Sequence, residues 1–304
     1  MTKVLIADKI APAAVQMLRD AGLDTDVKTG LSEAELIEII PEYDAIAVRS
    51  AVRVTRPIIE AGTNLRAIGR AGVGIDNIDK DAAAERGIAV INTPTANIVS
   101  AAEQTMALML ACARNTAAAC ASMKAGEWNR SAFTGTELFE KTLGVIGLGK
   151  IGTLVAQRAR AFDMSIVAYD PWAPPAAAEA LGAVLYQDLD ELLAVADIIT
   201  VHLPKTPETT GMIGADQVAK MKDGVICLNV ARGGIMDEQA LSDGLDSGKI
   251  AAVGVDVYDS EPPTDSPLLN QPKATLTPHL GASTCEAQLR AGTQLAEFLI
   301  DALK

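Results

Sequence analysis

Val145-Ile146-Gly147-Leu148-Gly149-Lys150-Ile151-Gly152 closes a short apolar run and opens a helical pattern. A G-x-G-x-x-G run alone marks only a tight turn, so its flanks decide the reading. Leu143 to Ile146 reads as a buried strand, Ile151 to Phe162 is apolar at helical spacing, and Ser165 to Tyr169 reads as a second strand ending at Asp170. Together they form a βαβ unit. In such a unit Gly147 permits the turn, Gly149 lets the backbone approach a pyrophosphate, and Gly152 lets helix and strand pack closely. The pyrophosphate then sits on the helix N-terminus, where unpaired N–H groups and the dipole favour an anion.

Asp170 lies about 20 residues beyond the glycines, where an acid at the end of the second strand accepts a hydrogen bond from the adenosine ribose. Its carboxylate suits a free 2′-hydroxyl and repels a 2′-phosphate. No Lys or Arg stands between Arg160 and Lys205 to offset that repulsion, so the expected cofactor is NAD rather than NADP. The competing reading of Asp170 is a turn residue before Pro171.

The 304 residues suffice for two domains of ordinary size, each with its own core. Aromatics make up 3% of the chain, which leaves few stacking platforms for single-stranded nucleic acid. The formal charge of −13, from 39 acids against 26 bases, opposes binding to a phosphate backbone over a broad surface. An anionic ligand must therefore meet local arginines. The start, Met1 to Lys9, lacks the apolar core of a signal peptide and reads as a first strand, so a cytoplasmic protein is expected. Ala96 to Ser122 is apolar but interrupted by Glu103 and Arg114, which reads as a buried helix rather than a membrane span. Cys112, Cys120, Cys227 and Cys285 show no C-x-x-C spacing, and His202 and His279 are the only histidines, so neither a disulfide framework nor a metal site is expected.

Short apolar runs alternate with helical patterns through residues 3 to 91, with strand candidates at Val4 to Ala7, Ala45 to Val48, Arg66 to Gly69 and Ile88 to Ile91. This predicts a small parallel α/β domain. Asn92-Thr-Pro94-Thr marks a break, and Asn97 to Ala125 is the longest helical stretch. Further strand candidates at Ile198 to His202, Val225 to Asn229, Ala252 to Asp256 and Thr275 to Thr277 complete a doubly wound nucleotide domain. Ser283 to Leu303 reads as a final amphipathic helix.

Three motifs begin at predicted strand ends: Asn229-Val-Ala-Arg232-Gly-Gly, Asp256-Val-Tyr-Asp-Ser-Glu261-Pro-Pro and Pro278-His279-Leu-Gly-Ala-Ser. Ligands of open α/β sheets bind along that edge, so residues distant in sequence can converge there. Oxidising a 2-hydroxy acid needs a cation for the carboxylate, a base for the hydroxyl proton and a group that tunes the base. Arg232, His279 and Glu261 supply this set. Neutral imidazole accepts the proton, a carboxylate beside it favours the imidazolium, and a guanidinium matches a carboxylate with two prongs. His202 is assigned to packing near the cofactor, and Cys285 to a small helix position.

These motifs, with Arg49-Ser50, Gly69-Arg-Ala-Gly-Val-Gly-Ile-Asp76-Asn, Asn92-Thr-Pro, Ser100-Ala-Ala-Glu103 and Gly135-Thr-Glu-Leu, give a chain that closely resembles the D-isomer-specific 2-hydroxyacid dehydrogenases over its whole length. The resemblance implies a Rossmann NAD-binding domain, residues 96–282, inserted into a smaller flavodoxin-like substrate domain, residues 1–95 and 283–304, with the active site between them. It implies that Arg232 binds substrate, that His279 is the acid/base and that Glu261 pairs with it. Lys150 and Ile151 would lie under the pyrophosphate, and Val73, Val230, Ala231, Asp256, Gly281 and Ala282 on the cofactor. Arg49, Ser50, Arg70, Gly72 and Gly74 would bind substrate. Arg130, after Trp128, falls where the family forms a homodimer and would serve the partner subunit's site.

Arg49 and Arg70 each end a predicted strand, and such a pair suits a phosphorylated 2-hydroxy acid. Two other readings stay open. One is a reductase of hydroxypyruvate, glyoxylate or another 2-hydroxy acid on the same scaffold, and the other is an NAD-sensing corepressor-like binding protein.

Overall fold

Four- and five-residue apolar runs become strands because both of their faces are covered, which is why they read as continuous rather than alternating. The computed structural model describes all 304 residues, in two units: residues 1–97 with 282–304, and residues 98–281.

In the first unit, β1 (Lys3–Ile6), β2 (Asp24–Val27), β3 (Ala45–Val48), β4 (Ala67–Arg70) and β5 (Ala89–Asn92) form one sheet in the order β2-β1-β3-β4-β5. Every pairing is parallel. One face buries Leu5, Ile46, Val48 and Ile68 under the helices Glu33–Ile39, Arg56–Ala61 and Lys80–Glu85. The other buries Val4, Ile6, Ala45, Ala47 and Ala67 under Leu295, Leu299 and Leu303 of the last helix, Cys285–Leu303. The order is the flavodoxin-like one, and its direction reverses between β1 and β3.

The second unit carries β6 (Thr142–Ile146), β7 (Ser165–Tyr169), β8 (Val184–Tyr186), β9 (Ile198–Val201), β10 (Val225–Asn229), β11 (Ile250–Val255) and β12 (Ala274–Leu276). They form a parallel seven-stranded sheet in the order β12-β11-β10-β9-β6-β7-β8. This is the doubly wound Rossmann arrangement, with its reversal between β6 and β9. Alternate residues of β10 point to opposite cores: Ile226 and Leu228 to one, Val225 and Cys227 to the other.

The structure departs from the sequence-based expectation at particular elements. β2 and β8 were not foreseen: they are edge strands, and Val27 and Val184 stay about half exposed, so neither shows a buried pattern. The helix expected over Asn97 to Ala125 is two helices, Ile98–Ala113 and Thr116–Lys124, broken where Asn115 turns left-handed at φ 53°. Only the first of them is buried, so the buried-helix reading fails beyond Asn115. The longest helix is instead the last one. No helix is long and apolar enough to cross a membrane.

Candidate active site

The glycine loop follows β6 at the reversal point of the larger sheet. Gly147 has φ 96°, and a Cβ there would lie 2.7 Å from the His202 carbonyl oxygen at the end of β9. A Cβ on Gly152 would run into the Gly147 carbonyl, which fixes the close approach of helix Lys150–Arg160 to the loop. Gly149, the N-cap of that helix, faces open space: nothing lies within 4 Å of where its Cβ would stand. Gly149 and Lys150 are exposed and Ile151 is half-buried, so free N–H groups and room for an anion coincide at this helix start. These residues fit a dinucleotide pyrophosphate.

Asp170 stands at the end of β7, and its carboxylate accepts the Leu148 N–H at 2.8 Å and the Trp172 N–H at 3.0 Å. It therefore closes its own turn and also braces the glycine loop. His202 is a packed residue: its Nε2 lies 3.0 Å from Thr200 Oγ1, and burial pushes its pKa down to about 4, so the ring is neutral.

Arg232, Glu261 and His279 follow β10, β11 and β12, which are neighbours in the sheet. Asn229 ends β10 and shapes the arginine turn, accepting the Ala231 N–H at 3.1 Å and donating to the Arg232 carbonyl at 2.9 Å. A Cβ on Gly233 would overlap the Tyr258 carbonyl, so this turn lies backbone to backbone on the segment after β11. Glu261 accepts the Tyr258 N–H at 3.2 Å through Oε1, and its Oε2 lies 2.7 Å from His279 Nδ1. The pair is partly exposed, 45% for the histidine side chain and 38% for the glutamate, which leaves Nε2 as the ring nitrogen not engaged by Glu261.

Asp256, the residue after β11, is fully buried, and three protein donors surround its carboxylate: Thr277 Oγ1, the Leu280 N–H and the Gly281 N–H. It anchors the turn that presents His279. A Cβ on Gly281 would sit 3.4 Å from Val230 Cγ1, and Ser100 Oγ donates to the Gly281 carbonyl at 2.7 Å. Val230, Asp256 and Gly281 thus cluster, with half-buried Ala231 and Ala282 beside them in sequence.

In the first unit, Arg49 follows β3 and Arg70 ends β4, with Val48 and Arg70 in register. Asp8, after β1, accepts the N–H groups of Arg49 at 3.0 Å and Ala51 at 2.9 Å, and Asn77 Nδ2 donates to the Arg49 and Val52 carbonyls. The Arg49-Ser50 loop is thereby held at the reversal point of the smaller sheet. The Arg70 guanidinium lies across Gly72, where a Cβ would meet it, and Asn92 donates to the Val73 carbonyl, fixing the loop through Gly74. In the second unit, Arg130 is exposed on the short turn Arg130–Phe133.

Sequence reasoning missed Asp8, Asn77, Asn92 and Ser100 as loop anchors. Asp8 alone carried a signal: it is an acid directly after an apolar strand, as Asp170 is.

A doubly wound sheet with a glycine cradle at its reversal point, and with arginine, glutamate and histidine beyond adjacent strands, defines a Rossmann-type nucleotide-binding protein. The chain belongs to the D-isomer specific 2-hydroxyacid dehydrogenases, whose NAD binding domain matches residues 106–281. It is similar to D-3-phosphoglycerate dehydrogenase of Archaeoglobus fulgidus, with 51% identity over 303 residues, 99% of this chain and 57% of that protein. It is similar also to hydroxypyruvate reductase of Thermotoga maritima, with 48% identity over 304 residues, 99% of this chain and 98% of that protein. The structure of D-lactate dehydrogenase from Aquifex aeolicus complexed with NAD and lactic acid superposes with a TM-score of 0.83 at 29% identity, covering 97% of this chain and 94% of that one. The chain spans little more than half the length of the phosphoglycerate dehydrogenases it matches.

Proposed function

We propose that the protein oxidises D-3-phosphoglycerate to 3-phosphohydroxypyruvate with NAD, the reaction that opens serine biosynthesis. The observation that carries the dehydrogenase reading is the 2.7 Å contact of His279 Nδ1 with Glu261 beside the Arg232 turn, at three adjacent strand ends. NAD, when bound, accepts the hydride from C2 of the substrate. With Nδ1 tied to Glu261, Nε2 of His279 takes the C2 hydroxyl proton, and Glu261 stabilises the imidazolium that results. Arg232 binds the substrate carboxylate and steadies the oxygen at C2. The cofactor set is Gly147, Gly149, Lys150, Ile151, Gly152 and Asp170 with Val73, Val230, Ala231, Asp256, Gly281 and Ala282.

The phosphate assignment is supported by Arg49 and Arg70 at the ends of adjacent strands, with Ser50, Gly72 and Gly74 shaping their loops. Helix Thr116–Lys124 has no buried residue and Trp128 is 76% exposed, which favours a second copy of the chain covering this segment and Arg130 acting in its partner's site. Four free thiols suit a cytoplasmic enzyme. NADH formation with 3-phosphoglycerate against lactate, glycerate and 2-hydroxyglutarate tests the assignment. Preference for an unphosphorylated acid overturns it. The second reading, a hydroxypyruvate reductase, is favoured by the 48% identity with the Thermotoga maritima protein.

A further inference from the structure

Glu261 lies on the segment Asp259-Ser260-Glu261-Pro262-Pro263-Thr264-Asp265-Ser266, most of it exposed. An exposed loop rich in proline and polar residues has little apolar burial to hold it, yet this one must hold a carboxylate at 2.7 Å from a histidine. Both of its ends meet one side chain. Glu238, in the first turn of helix Glu238–Ser247, is 9% exposed; its Oε1 accepts the Asp259 N–H at 2.8 Å and its Oε2 accepts the Ser266 hydroxyl. An acid at a helix start is ordinarily a solvated partner for the dipole. Glu238 is instead buried, with each carboxylate oxygen spent on one end of the loop that carries Glu261.

Two neighbouring contacts lock the same end. Gly233 packs against the Tyr258 carbonyl, and the space a Cβ on Gly234 would take is bounded by Lys205 Nζ and Asp259 Oδ1. Ser266 passes the restraint on by accepting the Leu268 N–H at 3.3 Å, starting the turn Pro267–Asn270.

We propose that Glu238 is a positioning residue for the acid/base pair: by tying Asp259 and Ser266 together it sets the distance between Glu261 and His279. The inference rests on the reading of that pair given above. Glu238→Ala loses both acceptors, whereas Glu238→Gln keeps a carbonyl for the Asp259 N–H and an amide donor for Ser266 Oγ. Small displacements of a positioned group cost about 10- to 100-fold in rate.

The test is steady-state kinetics with D-3-phosphoglycerate and NAD, and in parallel with hydroxypyruvate and NADH, so that a wrong substrate assignment does not hide the effect. Glu238→Ala is expected to lower kcat about tenfold or more with KM and NADH affinity changed less than about twofold, and Glu238→Gln to restore most of kcat. In a Glu261→Ala background, Glu238→Ala should cost nothing further, because its effect passes through Glu261. Ser266→Ala cuts one tie while leaving the helix start intact and should give a smaller loss of kcat alone. It keeps the test open if Glu238→Ala folds poorly. Full multiplicative losses in the double variant, or an unchanged kcat in both Glu238→Ala and Ser266→Ala, overturn the proposal. A neutral Glu261→Ala variant would instead overturn the acid/base reading beneath it.

Discussion

The backbone N–H of His279 donates to the carbonyl of Asp256 at 2.8 Å while His279 itself occupies the left-handed region at φ 53°. A non-glycine residue there is uncommon and is held by its surroundings. Asp256 is the main holder: it takes the turn's N–H groups on both its carbonyl and its carboxylate, with the Thr277 carbonyl sharing the His279 N–H. Asp256→Asn retains one acceptor oxygen and turns an amide toward a donor. It is expected to destabilise the fold by roughly 1–3 kcal/mol and to lower kcat, as read by denaturant unfolding and steady-state turnover. Unchanged stability and unchanged kcat would contradict the anchoring role.

The left-handed backbone also decides which substitution probes His279 cleanly. Asparagine tolerates this region better than alanine. His279→Asn should therefore keep the folded turn and NADH affinity while turnover falls by about 10² to 10⁴. Fluorescence titration with NADH and an initial-rate assay read the two separately. Near-normal turnover removes His279 from the mechanism.

Asp170 bears on cofactor choice through two routes, its charge and its bond to the Leu148 N–H. Asp170→Ala with an arginine introduced nearby should shift the kcat/KM ratio from NAD toward NADP. The loosened glycine loop should weaken NAD binding as well. Unchanged discrimination would leave Asp170 with only its backbone contacts to Leu148 and Trp172.

His202 makes stability pH-dependent. Its pKa drops by burial from 6.5 to about 4 in the folded chain, so the unfolded chain binds the proton first as pH falls. The contribution is complete above about pH 6.5 and is lost as pH drops toward 4. Its size is at most roughly 3 kcal/mol, since part of the residue still reaches solvent. The Tm of His202→Asn should be lower at neutral pH but fall less steeply over that window. Parallel Tm-against-pH curves for the two proteins would show that the ring is not buried in its neutral form.

The proposed phosphate site and its sharing between two copies are tested at Arg130. Arg130→Ala should raise KM for 3-phosphoglycerate about tenfold or more, since a charge-assisted bond is worth roughly 1.5 to 3 kcal/mol, and should raise it much less for an unphosphorylated 2-hydroxy acid. In mixed dimers of Arg130→Ala with His279→Ala, the one intact acid/base site keeps its phosphate affinity if the arginine comes from the partner, and loses it if the arginine is its own. Equal KM changes for both substrates would remove the phosphate role.

The sequence by itself determined the parallel α/β class. Its strands, such as Ala45 to Val48, Ser165 to Tyr169 and Val225 to Asn229, are buried on both faces and so appear as apolar runs with helical spacing between them. The turn at Gly147 was legible for the same local reason, since φ 96° is a demand on a single residue. Tertiary structure decided everything that depends on which strand lies beside which. Only the order β12-β11-β10 makes neighbours of the segments bearing His279, Glu261 and Arg232, and only the paired sheet reveals edge strands such as β8, whose half-exposed residues carry no buried pattern. The partners that Asp8, Asp256 and Glu238 hold were equally hidden. Most of those partners are backbone N–H groups, which every residue but proline carries, so no residue type 21 or 43 positions away announces them.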